Sequence, residues 1–176
     1  MWFVLSLAFA GSRQTIELEA PASLGELAWQ SCQVAQANGH PKAGLNPLRD
    51  QANQLNALLT DLSRVQLPGL SLAVETEFAP YLNADEQRNV LRTLQAFNNQ
   101  ISDAQQGLNR DLTRSNKRRS SLRSCAKSWR QIYVSMLSIK ALLEQQEPAI
   151  NQLLQRLEQG YSRRLSQTQR PTLDSR

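Results

Sequence analysis

Stepping by seven from Leu94 reaches Ile101, Leu108, Ser115, Leu122, Trp129, Met136, Leu143, Ile150 and Leu157, and only Ser115 interrupts the apolar run. A seven-residue period holds one seam of a helix against a partner helix along a left-handed supercoil. The second half of the chain is therefore expected to be helical and to pack lengthwise on something. Companion positions three residues along are Phe97, Ala104, Asp111, Arg118, Cys125, Ile132 and Ile139. Polar residues fall into the seam together, at Asp111, Ser115 and Arg118.

Asn83 caps the start of this helical region, with Asp85 and Glu86 in the first turn, where the helix dipole favours acids. From Ala84 to Glu147 there is no proline, and Gly107 is the one weak helix former. Two structures fit. One is a single helix of about sixty residues, roughly 90 Å long; the other is a helical hairpin that turns near 113–121. The unbroken phase and the missing breakers favour the single helix. Pro148 lacks an N–H and clashes with the preceding turn, so it is expected to break or kink the run. A last helix would then carry Ile150, Leu153, Leu154, Leu157, Tyr161 and Leu165, and residues 166–176 read as a disordered tail.

In the first half, Ser23 and Glu26 have capping-box spacing, which predicts a helix from Leu24 to about Ala37, stopped by Asn38-Gly39. It would carry Leu27, Trp29, Cys32, Val34 and Ala35. Asn46-Pro47 reads as a cap followed by proline in the first turn. Leu48, Ala52, Leu55, Leu59 and Leu62 then step by four and three along a helix to about Val65, ended by Pro68-Gly69. Two segments alternate with period two, Thr15–Ala20 and Leu70–Phe78, and read as strand-like. Paired, they would make a small ribbon, although Glu17, Glu19, Glu75 and Glu77 on their polar faces would repel. The expected fold is an all-α bundle of about four helices in one domain over 11–165, with such a two-stranded ribbon as a minor addition.

Charge is unevenly distributed. Residues through Asn83 include 4 basic and 7 acidic side chains, and the remainder 16 basic and 8 acidic. The densest stretch holds Arg110, Arg114, Lys117, Arg118, Arg119, Arg123, Lys127 and Arg130, opposed only by Asp111. Such a segment attracts a polyanion: an acidic protein surface, nucleic acid or an anionic membrane surface. It would serve equally to neutralise the acidic first half. On one continuous helix the first four would share a face and the last four would fall opposite. A DNA-reading helix concentrates its charge on a single face, so this layout favours a protein partner or self-association over nucleic acid.

Residues 1–10 are apolar and end in Ala8-Phe9-Ala10, the small-x-small pattern of a signal-peptidase site, without a basic n-region and shorter than usual. They read as a clipped signal segment, which places the protein in the periplasm or outside the cell; a packed hydrophobic strand in a cytoplasmic protein is the other reading. Cys32 and Cys125 form the even pair that an exported chain would bridge, the alternative being two buried thiols.

Catalytic signatures are missing from the sequence. His40 is the single histidine and sits in a turn, too far from Cys32 to make a local thiol–imidazole motif. No zinc-ligand spacing or phosphate-binding loop occurs, and Glu17/Glu19, Glu75/Glu77 and Asp85/Glu86 suit polar strand faces and a helix start. Arg118-Arg119-Ser120-Ser121 has the form of a basophilic kinase site, a pattern too short to weigh. The expectation is a non-enzymatic protein without cofactor, metal or small-molecule substrate, docking a partner through its heptad seam and basic segment. The competing expectation is an intracellular helical protein that binds nucleic acid through 110–130.

Overall fold

Helices α1 (Leu24–Ala37), α2 (Asn46–Asp61), α3 (Leu67–Thr76), α4 (Ala84–Lys117) and α5 (Leu122–Thr168) follow one another in a computed structural model that describes residues 24–168, with side chains as far as Ser162. Because α2 and α3 run on continuously, they form four rods. The fold is an all-α bundle, and no strand occurs among the described residues.

The ladder folds back on itself. Residues 84–147 are a hairpin rather than the single helix favoured from sequence, and the chain turns at Arg118–Ser121. Three hydrogen bonds cross between the arms: Gln146 Nε2 to Gln100 Oε1 (3.3 Å), Ser135 Oγ to Asp111 Oδ2 (2.7 Å) and Arg118 Nη1 to Ser128 Oγ (3.1 Å). In all three pairs the residue numbers add to the same total, as an antiparallel register requires. The reason for folding back is burial. Leu94, Ile101, Leu108, Met136, Ile139, Ile150 and Leu157 are all at most 3% exposed, and each large apolar side chain contributes about 1.5–3 kcal/mol on burial. That gain outweighs the few helical hydrogen bonds lost at a four-residue turn. The turn needs neither glycine nor proline. Arg118 leaves the helix in extended conformation, and Ser121 caps α5, accepting from Ser124 N at its side chain (3.2 Å) and from Cys125 N at its carbonyl (2.9 Å).

Neither internal proline stops its helix. Pro148 lies inside α5. It forfeits one backbone hydrogen bond, but Ile150 and Leu157 beyond it are buried and hold the continuation in place. At Pro68 the chain widens into a π-turn, Leu62–Gln66, closed by Leu67 N donating to Leu62 O. A widened turn relieves the clash of the proline ring with the carbonyl four residues back. Leu70–Phe78, expected as a strand, is therefore helical through Thr76. Leu70, Val74 and Phe78 are buried while Leu72 is 60% exposed. A spacing of four satisfies period two and a helix alike, and the exposed Leu72 disguised the difference. The proposed ribbon is accordingly absent among the described residues; its other half, Thr15–Ala20, lies outside them, as do Ser23 and the segment 1–10.

Local signals were otherwise informative. Gly39 takes φ +85° and closes α1, with His40 N donating to Ala35 O and Gly39 N to Gln36 O, a Schellman end. Asn83 forms a full capping box with Glu86, its side chain accepting from the backbone of Asp85 (3.0 Å) and Glu86 (2.8 Å). Asn46 does not cap: it is already helical, and its N–H donates to Ala43 O, because a 3-10 turn, Pro41–Leu45, feeds directly into α2.

The short α1 lies against the first turns of α5. Only Ala28 and Cys32 of its fourteen residues are fully buried. Cys32 Sγ is 2.06 Å from Cys125 Sγ, with Cα atoms 6.0 Å apart. The 3-10 turn presses on α1 at the same level, so closely that a Cβ on Gly44 would lie 2.5 Å from the Ser31 carbonyl oxygen. At the far end of the bundle, Tyr81 packs edge-on against Tyr161, ring centroids 5.1 Å apart. No helix among the described residues is long and apolar enough to cross a membrane.

Candidate interaction surface at the hairpin tip

The hairpin rearranges the basic segment. Arg110, Arg114 and Lys117 step by four and three along the last turns of α4; Arg123, Lys127 and Arg130 do the same along the first turns of α5. Arg118 and Arg119 lie in the turn between. Folding back thus brings all eight to one end of the molecule, each stripe within about 11 Å of rise. Seven are exposed and Arg118 is half-buried. The ion pairs among the described residues are Arg88–Asp85 and Lys140–Glu144, and neither includes any of the eight.

The interrupted seam lies just beneath. Ser115, 1% exposed, donates to Leu112 O (2.7 Å) and accepts from Arg49 Nη2 (3.1 Å). Asp111 accepts from Ser135, and Arg118 donates to the buried Ser128. Each of these three polar positions therefore has a defined partner, in separate hydrogen bonds that reach from α4 and the turn to α2 and α5. Lys42, from the 3-10 turn, donates to Asn116 O (3.2 Å) in the last turn of α4, where the helix dipole favours a cation.

Lys42 and Arg49 are members of the charged end that sequence reading missed. They lie more than sixty residues away in the chain and are delivered by the packing of α2 antiparallel to α4, which Gln105 Nε2 also ties through Asn56 O (3.3 Å) and Thr60 Oγ1 (2.6 Å). No local pattern marks them. Trp29 was legible as a helical residue but not as a surface one; it is 44% exposed and lines a shallow depression with Gly25, Glu26, Arg123, Ala126 and Arg130. Trp129, by contrast, is a seam residue, 6% exposed and stacked on Tyr133 at 4.9 Å.

The remaining sequence candidates disperse. The sulfur of Cys32 faces Cys125, and His40 lines a groove of about 730 Å³ between α1, α2 and α5. Among the described residues no three of His, Cys, Asp or Glu gather in a group that could hold a metal ion. The chain matches no family model, no curated protein and no solved structure.

Proposed function

We propose that this chain is a non-enzymatic interaction protein of an oxidising compartment, the bacterial envelope or the extracellular space, which holds an acidic protein partner at the tip of its α4–α5 hairpin. The observation that carries the reading is the concentration of eight basic side chains at one end, without an acidic partner among the described residues. The seam that could have served as a docking face is consumed inside the bundle, with Ile101, Leu108, Met136 and Ile150 fully buried. That removes the seam as a docking face and favours the charged end as the contact. The Cys32–Cys125 pair supports an oxidising compartment, because cytosolic thiols are kept reduced.

Charge placement adds a physical argument. Cations near the end of α4 complement its dipole, but Arg123 sits in the first turn of α5, which has no acid in that turn. A cation opposed to the dipole there costs the fold about 0.3–1 kcal/mol. Fold stability alone would favour Asp or Glu at that position.

Fluorescence anisotropy with labelled polyglutamate, in about 0.01 M salt where screening extends to roughly 30 Å, tests the reading. Binding should weaken at least fivefold when Arg110, Arg114 and Lys117, or Arg123, Lys127 and Arg130, become alanine. No binding of polyglutamate at low salt would sink it. A duplex oligonucleotide that binds while polyglutamate does not would transfer the surface to nucleic acid.

A further inference from the structure

We infer that the α1–α5 flank of the tip is a clamp for an acidic protein segment carrying an apolar anchor residue, with Trp29 as the contact for that anchor and Arg123, Lys127 and Arg130 as the contacts for its carboxylates. The inference rests on the proposed acidic partner and narrows it to one face and one chemistry. The α4 stripe offers charge alone. On the α5 side, Trp29 is 44% exposed in a depression walled by Arg123, Ala126 and Arg130. A solvent-facing tryptophan flanked by two arginines is the composition that dominates the energetic centres of protein interfaces. The planar guanidinium groups suit paired recognition of carboxylates.

Charge decides the sign of the partner. Arg123, Lys127 and Arg130 repeat every four and three residues, so they present charge over about 11 Å of one helix. Glu26, the one acid among the described residues that line the depression, accepts a hydrogen bond from Gln30 on its own helix (3.4 Å). The apolar character of α1 favours a peptide over nucleic acid. Leu27 is 42% and Val34 68% exposed on the other flank of the same helix. A single-stranded nucleic acid wants several aromatic platforms in succession, and among the described residues Trp29 is the one exposed aromatic, since Trp129 and Tyr133 stack on each other inside.

Two labelled peptides of about twenty residues provide the test, one of glutamate alone and one with a central pair of leucines, against the oxidised full chain. The leucine-bearing peptide should bind about tenfold more tightly. Trp29→Gln should erase that advantage and leave the all-glutamate affinity within twofold, while Arg123→Ala with Arg130→Ala weakens both peptides at least fivefold. Trp29→Phe, a milder change, should retain most of the advantage and guards against misfolding as the cause. Equal affinity of the two peptides, or an anchor advantage that survives Trp29→Gln, overturns the clamp and leaves the acidic-partner reading standing. Failure of both peptides overturns the two together. An oligo-dT that binds more tightly than the anchored peptide and loses affinity in Trp29→Gln reassigns the clamp to bases.

Discussion

Replacing Ser115 by leucine perfects the seven-residue ladder on paper and should nevertheless destabilise the protein. Ser115 is 1% exposed, and its Oγ accepts from Arg49 Nη2 at 3.1 Å while donating to Leu112 O at 2.7 Å. Arg49 Nε is already buried without a partner. Leucine would therefore remove a hydrogen bond made by a charged group, at about 1–3 kcal/mol, and force extra methyl groups into a filled layer, at about 1–3 kcal/mol. Burial of the new side chain returns about 1.5–3 kcal/mol at best. The net expectation is a loss of about 1–3 kcal/mol, or roughly 2–12 °C in melting temperature for a chain of this size. Thermal and urea unfolding followed by circular dichroism would measure it. Arg49→Met should cost little, because Ser115 keeps its bond to Leu112. Combined with Ser115→Leu, it should recover at least about 1 kcal/mol relative to the sum of the single changes, the coupling expected of groups in contact. A Ser115→Leu protein as stable as the parent, or a double variant with no coupling, would refute the view that the seam is interrupted on purpose.

Opening the Cys32–Cys125 bridge, which spans 93 residues of chain, should lower stability by about 4–5 kcal/mol on chain-entropy grounds; native-state alkylation that labels both sulfurs in the unreduced protein would remove the basis for this. Because α1 buries only Ala28 and Cys32 completely, its amides should gain hydrogen exchange first on reduction, ahead of those of α4. Gly44→Ala should cost more than 1 kcal/mol and loosen α1, since its Cβ would fall 2.5 Å from a backbone oxygen; an unchanged urea midpoint would contradict the packing. Ile101→Ala, at a fully buried seam position, should cost about 2–5 kcal/mol, a loss that differential scanning calorimetry would register.

Legibility in the sequence tracked the range of the interaction responsible. The seam from Leu94 to Leu157, the capping box at Asn83 and the stop at Asn38-Gly39 depend on neighbours within one or two turns, and they were readable. The hairpin was offered but not favoured, because its turn is made by an extended Arg118 and the cap of Ser121 rather than by glycine or proline. Pro68 misled for the converse reason, and so did the break allowed for at Pro148. Local sterics said stop at Pro68 and break or kink at Pro148, while a π-turn in one case and the burial of Ile150 and Leu157 in the other carried the helix through. The basic residues of the tip could be listed from sequence; their convergence could not, since it follows from the hairpin. Lys42, Arg49 and Trp29 arrive by tertiary packing and left no local signal.

One position separates what the fold requires from what the surface is for. Arg123 is the second residue of α5 after the Ser121 cap, with Lys127 four residues on. A cation there opposes the helix dipole and repels Lys127 along the same face. Arg123→Glu reverses both effects: an acid in the first turn gains about 0.3–1 kcal/mol from the dipole, and a Glu–Lys pair at this spacing replaces a repulsion with an attraction of about 0.2–0.5 kcal/mol. The substitution should therefore raise the melting temperature by a few degrees and at the same time weaken binding of an acidic peptide at least fivefold. Stability and binding moving in opposite directions would mark Arg123 as retained for its contact. A variant that is less stable would show instead that the arginine stem packs on Trp29 strongly enough to serve the fold, and the charge surplus at this end would lose its main energetic argument.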